Sequence, residues 1–237
     1  MSQPGRQQGE AAVIAFPIHL RLPNSGLLRA VRSHRLPSAL ESALLREAAL
    51  CGDGVTGLEQ AVAERLHQAP INFNEAQTIL LFGPSGAGKS AVTAKIVRIA
   101  EQHGREIEIV AAAQGLAGSA KSRKTLIIAD CSGFNPRNAR ACAAFTALGE
   151  FAHAEAIGVL SALGDAQEIS EIATAVNMRR VIVTGLDMTR RLGALAAACL
   201  QGASLAHVTR SADARGGLES LDAATLAALL AAPVGAH

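Results

Sequence analysis

The stretch that decides the fold is a short apolar run, Thr78 to Phe82, followed by Gly83-Pro84-Ser85-Gly86-Ala87-Gly88-Lys89-Ser90. A helical pattern continues from Ala91 to His103. This order is that of the G-x-x-x-x-G-K-[ST] phosphate loop, with a strand before it and a helix after it. The alternative is a glycine-rich turn that matches by chance, and the correct flanks on both sides argue against it. The sequence therefore predicts a phosphate-binding loop.

Each fixed position of this loop has a chemical reason. Glycines let backbone N–H groups curl around a phosphate chain, and the N-terminus of the following helix adds positive potential. Lys89 is predicted to reach the β- and γ-phosphates as a catalytic cation, and the Ser90 hydroxyl to ligate Mg²⁺. The residues predicted to contact the phosphates are Gly83, Ser85, Gly86, Ala87, Gly88, Lys89, Ser90 and Ala91.

Composition limits the classes of protein that this chain can represent. The 237 residues are 49% apolar, with six Phe and no Trp or Tyr, so few rings are available to stack on bases. A net charge of +2 gives no strong signal for nucleic acid. The four cysteines are far apart in sequence and are interpreted as reduced thiols. With no apolar run of about 20 residues and no signal-like N-terminus, we expect a soluble, cytoplasmic protein.

The order of patterns along the chain predicts three parts. Residues 1–36 are interpreted as a partly disordered tail, 37–70 as a small helical domain, and 71–237 as the main domain that carries the phosphate loop. Strands are predicted near 78–83, 107–112, 125–129, 156–161, 181–184 and 205–209. Because helical patterns separate most of these strands, the main domain is predicted to be a three-layer α/β/α fold with a mostly parallel sheet.

A carboxylate follows the third predicted strand. Residues 125–129 lead into Asp130, and Gly133 comes shortly after it. An aspartate at this place can hold Mg²⁺, and a nearby glycine can offer its N–H to the γ-phosphate. The alternative is an aspartate that caps the next turn or helix. Coupled to the phosphate loop, the pattern favours Asp130 as a catalytic and metal-binding residue and Gly133 as a phosphate contact.

A second aspartate follows the strand near 181–184. Thr184 and Asp187 are predicted to belong to a site for the nucleotide base. A carboxylate there could accept hydrogen bonds from N1–H and the N2 amine of guanine, which adenine cannot donate. The alternative is again an aspartate in a turn at the end of a strand. This pattern favours GTP over ATP.

In these motifs the sequence resembles the signal-recognition-particle (SRP) GTPase family over about residues 38–232. The Ala-Asp-Cys-Ser-Gly stretch at 129–133 stands at the place of the family's Asp-Thr-Ala-Gly, and Thr-Gly-Leu-Asp at 184–187 at that of Thr-Lys-x-Asp. The stretches 192–194 and 217–221 resemble the small-residue and closing motifs. Residues 159–162, followed by Glu168 and Ile169, look most like the flagellar branch, FlhF.

The resemblance implies a P-loop NTPase fold in which a helical N-domain precedes a G-domain. It implies GTP or GDP with Mg²⁺ as cofactors, and GTP hydrolysis in protein targeting or flagellum placement. It also implies pairing through the nucleotide face, as a homodimer or with an SRP-type GTPase partner. Transient peripheral association with the inner face of the cell membrane is a further implication.

The sequence also departs from the family pattern. The connection at 113–123 is short and contains no acidic residue, so the usual carboxylate for the attacking water has no counterpart. Phe134 stands where the family has arginine, with Arg137 as a substitute, and Gly185 stands where the family has lysine. These departures predict weak or absent hydrolysis. Two alternatives remain open: a nucleotide-gated adaptor without catalysis, and an ATP-using P-loop ATPase.

Overall fold

The computed structural model describes residues 25–52, 54–75, 78–111, 124–131, 133, 135, 137–138, 140, 143 and 154–234. It begins with three helices, α1 (Ser25–Ser33), α2 (Ser38–Cys51) and α3 (Gly54–Arg65). Leucines at helical spacing, Leu40, Leu44 and Leu45, are buried on α2, as the sequence pattern predicts. The first turn of α2 carries Glu41, which suits the positive end of a helix.

Within the described residues, six strands form a single sheet in which every pair of neighbours is parallel. They are β1 (Thr78–Phe82), β2 (Glu106–Ala111), β3 (Thr125–Asp130), β4 (Glu155–Ser161), β5 (Arg180–Thr184) and β6 (Ser204–Val208). Their order is β2-β3-β1-β4-β5-β6. Each strand lies within one residue of its predicted bounds, so the predicted parallel sheet is confirmed.

Helices cover both faces of the sheet. In the part of the chain that the structure describes, the helices after α3 are α4 (Lys89–Gln102), α5 (Ala166–Ala175), α6 (Gly193–Cys199), α7 (Ala223–Ala231) and a 3₁₀ turn at Ala214–Gly216. Alternate residues of β1 belong to two different hydrophobic clusters. Ile79 and Leu81 pack with α4, whereas Leu80 and Phe82 pack in the cluster that holds α2, α3 and α5 to α7. The predicted three-layer architecture is confirmed.

The topology places the loop after β1 at a switch point of the sheet. β1 lies between β3 and β4, so the chain runs to one side of β1 toward β2 and returns to the other side for β4. In open parallel sheets ligands bind at such a point, beyond the carboxyl ends of the strands. The phosphate loop and the ends of β3 and β5 all lie at this edge.

The N-terminal region contains an element that the sequence analysis does not predict. Helix α1 lies within the predicted tail, and its buried residues are Leu27, Ala30 and Val31. It packs against α2 and against α7, the last helix of the chain, and α3 packs against α7 as well. Residues 1–24 lie outside the described part. The division at residues 70 and 71 stays a prediction.

Within the described part of the chain, none of the helices has the length and apolar character that crossing a membrane requires.

Candidate nucleotide-binding site

The phosphate loop is held closely against its neighbours by two glycines. A Cβ at Gly83 would come within 2.2 Å of the Val159 carbonyl oxygen on β4. Gly88 has φ +89, a conformation that favours glycine, and a Cβ there would meet Thr184 at 3.1 Å. The motif therefore needs glycine at these positions for the backbone geometry as well as for phosphate access.

Thr184, at the end of β5, contacts the phosphate loop through its hydroxyl. Its Oγ1 donates a hydrogen bond to the Ala87 carbonyl oxygen at 2.8 Å and lies 3.3 Å from the Leu160 carbonyl oxygen. The same residue's carbonyl oxygen accepts from Ala162 N at 2.8 Å. The sequence analysis assigns Thr184 to the base site, and the contact with the loop is not evident from the motif.

Lys89 opens helix α4 and folds back over the loop. Its Nζ donates hydrogen bonds to the carbonyl oxygens of Gly83 at 3.1 Å and Pro84 at 3.0 Å. Ser90 is exposed in the first turn of the same helix, and Ala91 beside it is half-buried. The ammonium and the hydroxyl are therefore both carried by the helix N-terminus, where backbone N–H groups are unpaired.

Asp130 ends β3 directly beside β1, where it is the register partner of Leu81. Its Oδ1 is buried and accepts no hydrogen bond from any residue that the structure describes. A buried carboxylate oxygen without a partner is costly, and a bound cation is one way to satisfy it. Asp130 is thus placed to meet a ligand at the carboxyl edge of the sheet.

Cys131 is a buried thiol whose pKa is affected by both Asp130 and Lys89. Burial, and then the negative charge of Asp130, raise the pKa of the Cys131 thiol to about 12, while the Lys89 ammonium acts in the opposite direction. The thiol therefore stays protonated at neutral pH and behaves as a small buried group. Both charges act on this thiol, so they lie at the same end of the site.

Gly133 lies directly against the phosphate loop. A Cβ at this residue would come within 2.2 Å of Ser85 Oγ and 2.7 Å of Ser85 Cα. The side-chain oxygen could rotate away, but the backbone atom could not move without distorting the loop. Gly133 and the loop are therefore adjacent, and the contact of Gly133 with a phosphate stays a prediction.

The residues present fit a hydrated Mg²⁺ ion. Mg²⁺ is usually held by one or two carboxylates together with water and substrate phosphates. Asp130 offers the buried oxygen and Ser90 the exposed hydroxyl. In the part of the chain that is described, no three His, Cys, Asp or Glu side chains gather into a metal-binding group. A cation here would therefore depend on phosphate oxygens for part of its coordination.

The base end of the site is more open. Asp187 and Met188 are exposed, and Gly185 has φ +73 with nothing within 4 Å of a Cβ built on it. The backbone is nevertheless fixed, because Leu186 N donates to the Thr209 carbonyl oxygen at 3.0 Å and Met188 N to that of Gly185 at 3.2 Å. Among the described contacts, none joins the Asp187 side chain to the phosphate loop.

Arg137 forms an ion pair with a residue outside the phosphate loop. Its guanidinium lies 3.4 Å from Glu168 on α5, and both side chains are largely exposed. Phe134 and the connection at 113–123 lie outside the described residues.

A buried lysine on α4 is also missed by the sequence analysis. Lys95 is 1% exposed, and its Nζ donates to the Asp213 carbonyl oxygen just before the 3₁₀ turn. A Cβ at Gly216 would lie 3.2 Å from that same Nζ. Lys95 thereby ties the helix that follows the phosphate loop to the loop after β6. An apolar residue at this position of α4 would fit the periodicity equally well, so the pattern alone carries no signal for it.

Comparison with known proteins shows similarity to solved structures. No family model and no curated protein matches the sequence. Among solved structures, FlhF complexed with GTP and Mg²⁺ superposes with a TM-score of 0.66 and 18% identity over 88% of this chain and all of that one. The cell division protein FtsY of Thermotoga maritima gives 0.61 and 15%, covering 86% of this chain and 85% of that one. The signal recognition particle receptor FtsY of Elizabethkingia anophelis, in complex with GDP, gives 0.61 and 14% over 86% and 83%.

The fold is that of the SRP-type GTPases FlhF and FtsY. The resemblance inferred from the sequence motifs is confirmed at this level. At these identities the likeness describes architecture, and the activity of the chain has to be argued from its own residues.

Proposed function

We propose that this chain is a guanine-nucleotide-binding protein of the SRP GTPase type that uses Mg²⁺ and hydrolyses GTP slowly. The observation that carries the proposal is the buried, unpartnered Oδ1 of Asp130 at the edge of a closely packed phosphate loop. Such an oxygen is stabilised when a cation is bound to a phosphate in the loop.

The phosphate end supplies most of the binding. Backbone N–H groups of residues 83–91 bind the phosphate oxygens, and the Lys89 ammonium exchanges its two carbonyl partners for the β- and γ-phosphates. Gly133 offers its N–H to the γ-phosphate from the opposite side. Ser90 and Asp130 would hold Mg²⁺, and a bound Mg²⁺ would supply positive charge next to the phosphates.

Guanine selectivity is assigned to Asp187. Its exposed carboxylate accepts from N1–H and the N2 amine of guanine, and adenine offers neither donor. Support comes from similar structures, because FlhF is solved with GTP and with GMPPNP, each together with Mg²⁺, and FtsY with GDP. Exposure of Asp187 to solvent reduces what each hydrogen bond contributes, so we expect moderate selectivity.

Slow hydrolysis follows from the groups that the sequence lacks. The connection at 113–123 carries no acidic residue to orient the attacking water. Arg137, the substitute for the family's arginine, is paired with Glu168. Positioning of water and stabilisation of charge provide most of the acceleration of phosphoryl transfer, so their loss reduces the rate more than the affinity.

The cellular role is proposed from the resemblance. We place the protein in the cytoplasm, in protein targeting or flagellum placement, with transient contact at the inner face of the cell membrane. Pairing with a second copy or with an SRP-type GTPase through the nucleotide face is part of the same proposal. A nucleotide-gated adaptor without hydrolysis is the second candidate, favoured by the acid-free connection at 113–123.

The experiment is a calorimetric titration of the purified chain with GTP, GDP and ATP in the presence of Mg²⁺, with phosphate release followed in the same samples. Guanine-selective binding with slow release supports the GTPase. Guanine-selective binding without release identifies the adaptor. Equal affinities for GTP and ATP would point to an ATPase, and the absence of binding would overturn the assignment of a nucleotide site.

A further inference from the structure

A cleft separate from the phosphate loop lies between the end of β4, the loop after β5 and the junction of α1 with α2. Its volume is about 570 Å³. The side chains relevant here are three arginines, Arg35, Arg190 and Arg191, and two apolar residues, Leu163 and Met188. We call it the basic cleft.

The three arginines of the basic cleft are exposed, and none of them forms an ion pair with a residue that the structure describes. Many other arginines of the chain are paired. Arg32, for instance, lies 3.1 Å from Glu41, and Arg180 lies 2.6 Å from Glu155. The basic cleft therefore concentrates positive charge that its own surroundings leave without a partner.

Other titratable groups near the basic cleft do not cancel this charge. Asp165 lines it and caps α5, where its Oδ1 accepts hydrogen bonds from Gln167 N at 2.9 Å and Glu168 N at 3.1 Å; its single negative charge is outnumbered by the three arginines. His34 also lines it, and burial lowers the pKa of its imidazole, so it is neutral at pH 7. Asp187, next to Met188, is exposed on the adjoining loop. The net charge of the wall is positive.

The walls of the basic cleft are held rigidly in relation to each other. His34 Nδ1 accepts from Leu192 N at 3.3 Å, and its Nε2 donates to the Ala232 carbonyl oxygen at 2.9 Å. A Cβ at Gly193 would lie 2.3 Å from the Arg35 carbonyl oxygen, so these two backbones are in direct contact. Arg35 itself is held at φ 57. A preformed binding surface loses less entropy when a partner docks.

The apolar residues indicate what kind of anion fits. Leu163, in the loop after β4, is 54% exposed and Met188, in the loop after β5, is 69% exposed, and both line the basic cleft. A free inorganic anion would gain nothing from them. A nucleic acid would find few aromatic rings, since the chain has only six Phe and neither Trp nor Tyr. A bilayer surface is too flat to enter a concave site. A polypeptide that carries carboxylates and large apolar side chains satisfies both sets of residues.

We propose that the basic cleft is a docking site for an acidic, amphipathic segment of a partner protein. Carboxylates of the segment pair with Arg35, Arg190 and Arg191, and its apolar side chains cover Leu163 and Met188. Because Arg190 and Arg191 follow Asp187 on the same loop, docking takes place beside the end of the site assigned to the base. This inference does not depend on nucleotide binding.

The test uses a short fluorescein-labelled peptide of alternating glutamate and leucine, titrated with the full chain and followed by fluorescence anisotropy. We expect saturable binding that weakens about tenfold in the variant Arg35→Gln/Arg190→Gln/Arg191→Gln, since three ion pairs are lost. The variant Leu163→Gln/Met188→Gln should also bind more weakly. A peptide with glutamine in place of glutamate should bind less than the acidic one.

The matched control is Arg29→Gln/Arg46→Gln/Arg179→Gln, which removes the same charge from exposed positions outside the basic cleft. It should bind the acidic peptide as the unmodified chain does, and thermal melts should show that every variant folds. No binding, or equal loss in the control, overturns the proposal.

Other possible ligands of the basic cleft would give different results in binding experiments. Binding to phosphatidylglycerol vesicles or to single-stranded RNA that depends on the cleft arginines, without peptide binding, would overturn the proposal in favour of a membrane or RNA site. Self-association that disappears only in the cleft variant would identify a second copy as the occupant. Sedimentation at several protein concentrations measures this directly.

Discussion

The two ends of the candidate nucleotide site are built differently. At the phosphate end, Gly83 and Gly133 leave no space for a Cβ, a Cβ at Gly88 would be crowded, and the Asp130 oxygen is enclosed. At the base end, Asp187 is exposed and a Cβ at Gly185 would meet nothing. The phosphate end is determined by backbone packing, whereas the base end depends on one side chain in solvent. We therefore expect the phosphate end to provide most of the affinity for nucleotide. The base end should provide a smaller effect, the selectivity for guanine.

The largest expected effect concerns the chemical reactivity of Cys131. Its pKa of about 12, compared with an ordinary value of 9.0, reduces the thiolate fraction at pH 8 by about 10³-fold, and thiolate is the reactive form. Iodoacetamide labelling, read by mass spectrometry of the peptides, should modify Cys131 far more slowly in the folded chain than in denaturant. Half-buried Cys51 is the internal comparison. Equal rates at Cys131 and Cys51 would mean that the phosphate end opens readily.

Replacing the loop lysine is the strongest mutational test of the phosphate end. Lys89→Ala removes the cation that is proposed to exchange its two carbonyl partners for the β- and γ-phosphates. Two charge-assisted hydrogen bonds to the phosphates, at roughly 1.5 kcal/mol each, correspond to about a hundredfold loss of GTP affinity. Arg98→Ala, an exposed position on the same helix, is the control and should bind normally. Calorimetry measures both, and wild-type affinity in the Lys89 variant would rule out the assigned role.

A pair of glycine substitutions compares the two ends directly. Gly133→Ala places a methyl group 2.7 Å from Ser85 Cα, whereas Gly185→Ala meets no atom within 4 Å. Overpacking of this kind costs about 1–3 kcal/mol, and it is relieved when the loop moves away from Gly133. Because GTP needs the loop in its original position, Gly133→Ala should lower GTP affinity about tenfold. Gly185→Ala should affect stability through its φ of +73 and leave affinity nearly unchanged. Similar losses of affinity in the two variants would remove the contrast between the ends.

The smallest effect is expected at the base end. Asp187→Asn keeps the shape of the side chain but replaces one acceptor oxygen with a donor. We expect GTP affinity to fall by less than about tenfold, because the residue is exposed, while ATP affinity stays the same. Glu101→Gln, an exposed acid at the end of α4, controls for charge. Parallel loss of GTP and ATP affinity would show that Asp187 does not recognise the base.

Most of the strands could be predicted closely because they are short apolar runs between turn residues, which are typical of strands buried on both faces of a parallel sheet. The edge strand β2 differs, because glutamates alternate with its isoleucines and most of the strand is exposed. Helix α1 was missed for a different reason. A helix of nine residues is marginal by itself, and this one is stabilised by packing on α7, nearly two hundred residues later.

The candidate site also has one part that the sequence predicts and another that it does not. The phosphate loop is a local motif, so its residues could be read from the sequence. The contact of Gly133 with Ser85, the hydrogen bond from Thr184 to the Ala87 carbonyl oxygen and the burial of Lys95 depend on distant segments that meet only in the fold. No spacing rule predicts such contacts, since the residues involved belong to different strands and loops.

The position of β1 at the centre of the sheet has a consequence for synthesis of the chain. β1 pairs with β3 and β4, and β4 ends at Ser161, so a nascent chain that stops short of that residue cannot complete the strand's hydrogen bonds. Long-range parallel pairing of this kind forms slowly. The N-terminal helices lack their packing partner for longer still, because α7 is synthesised well after β4. Until then, apolar surface of the half-made protein is exposed, and it is in this interval that a chaperone would be expected to bind.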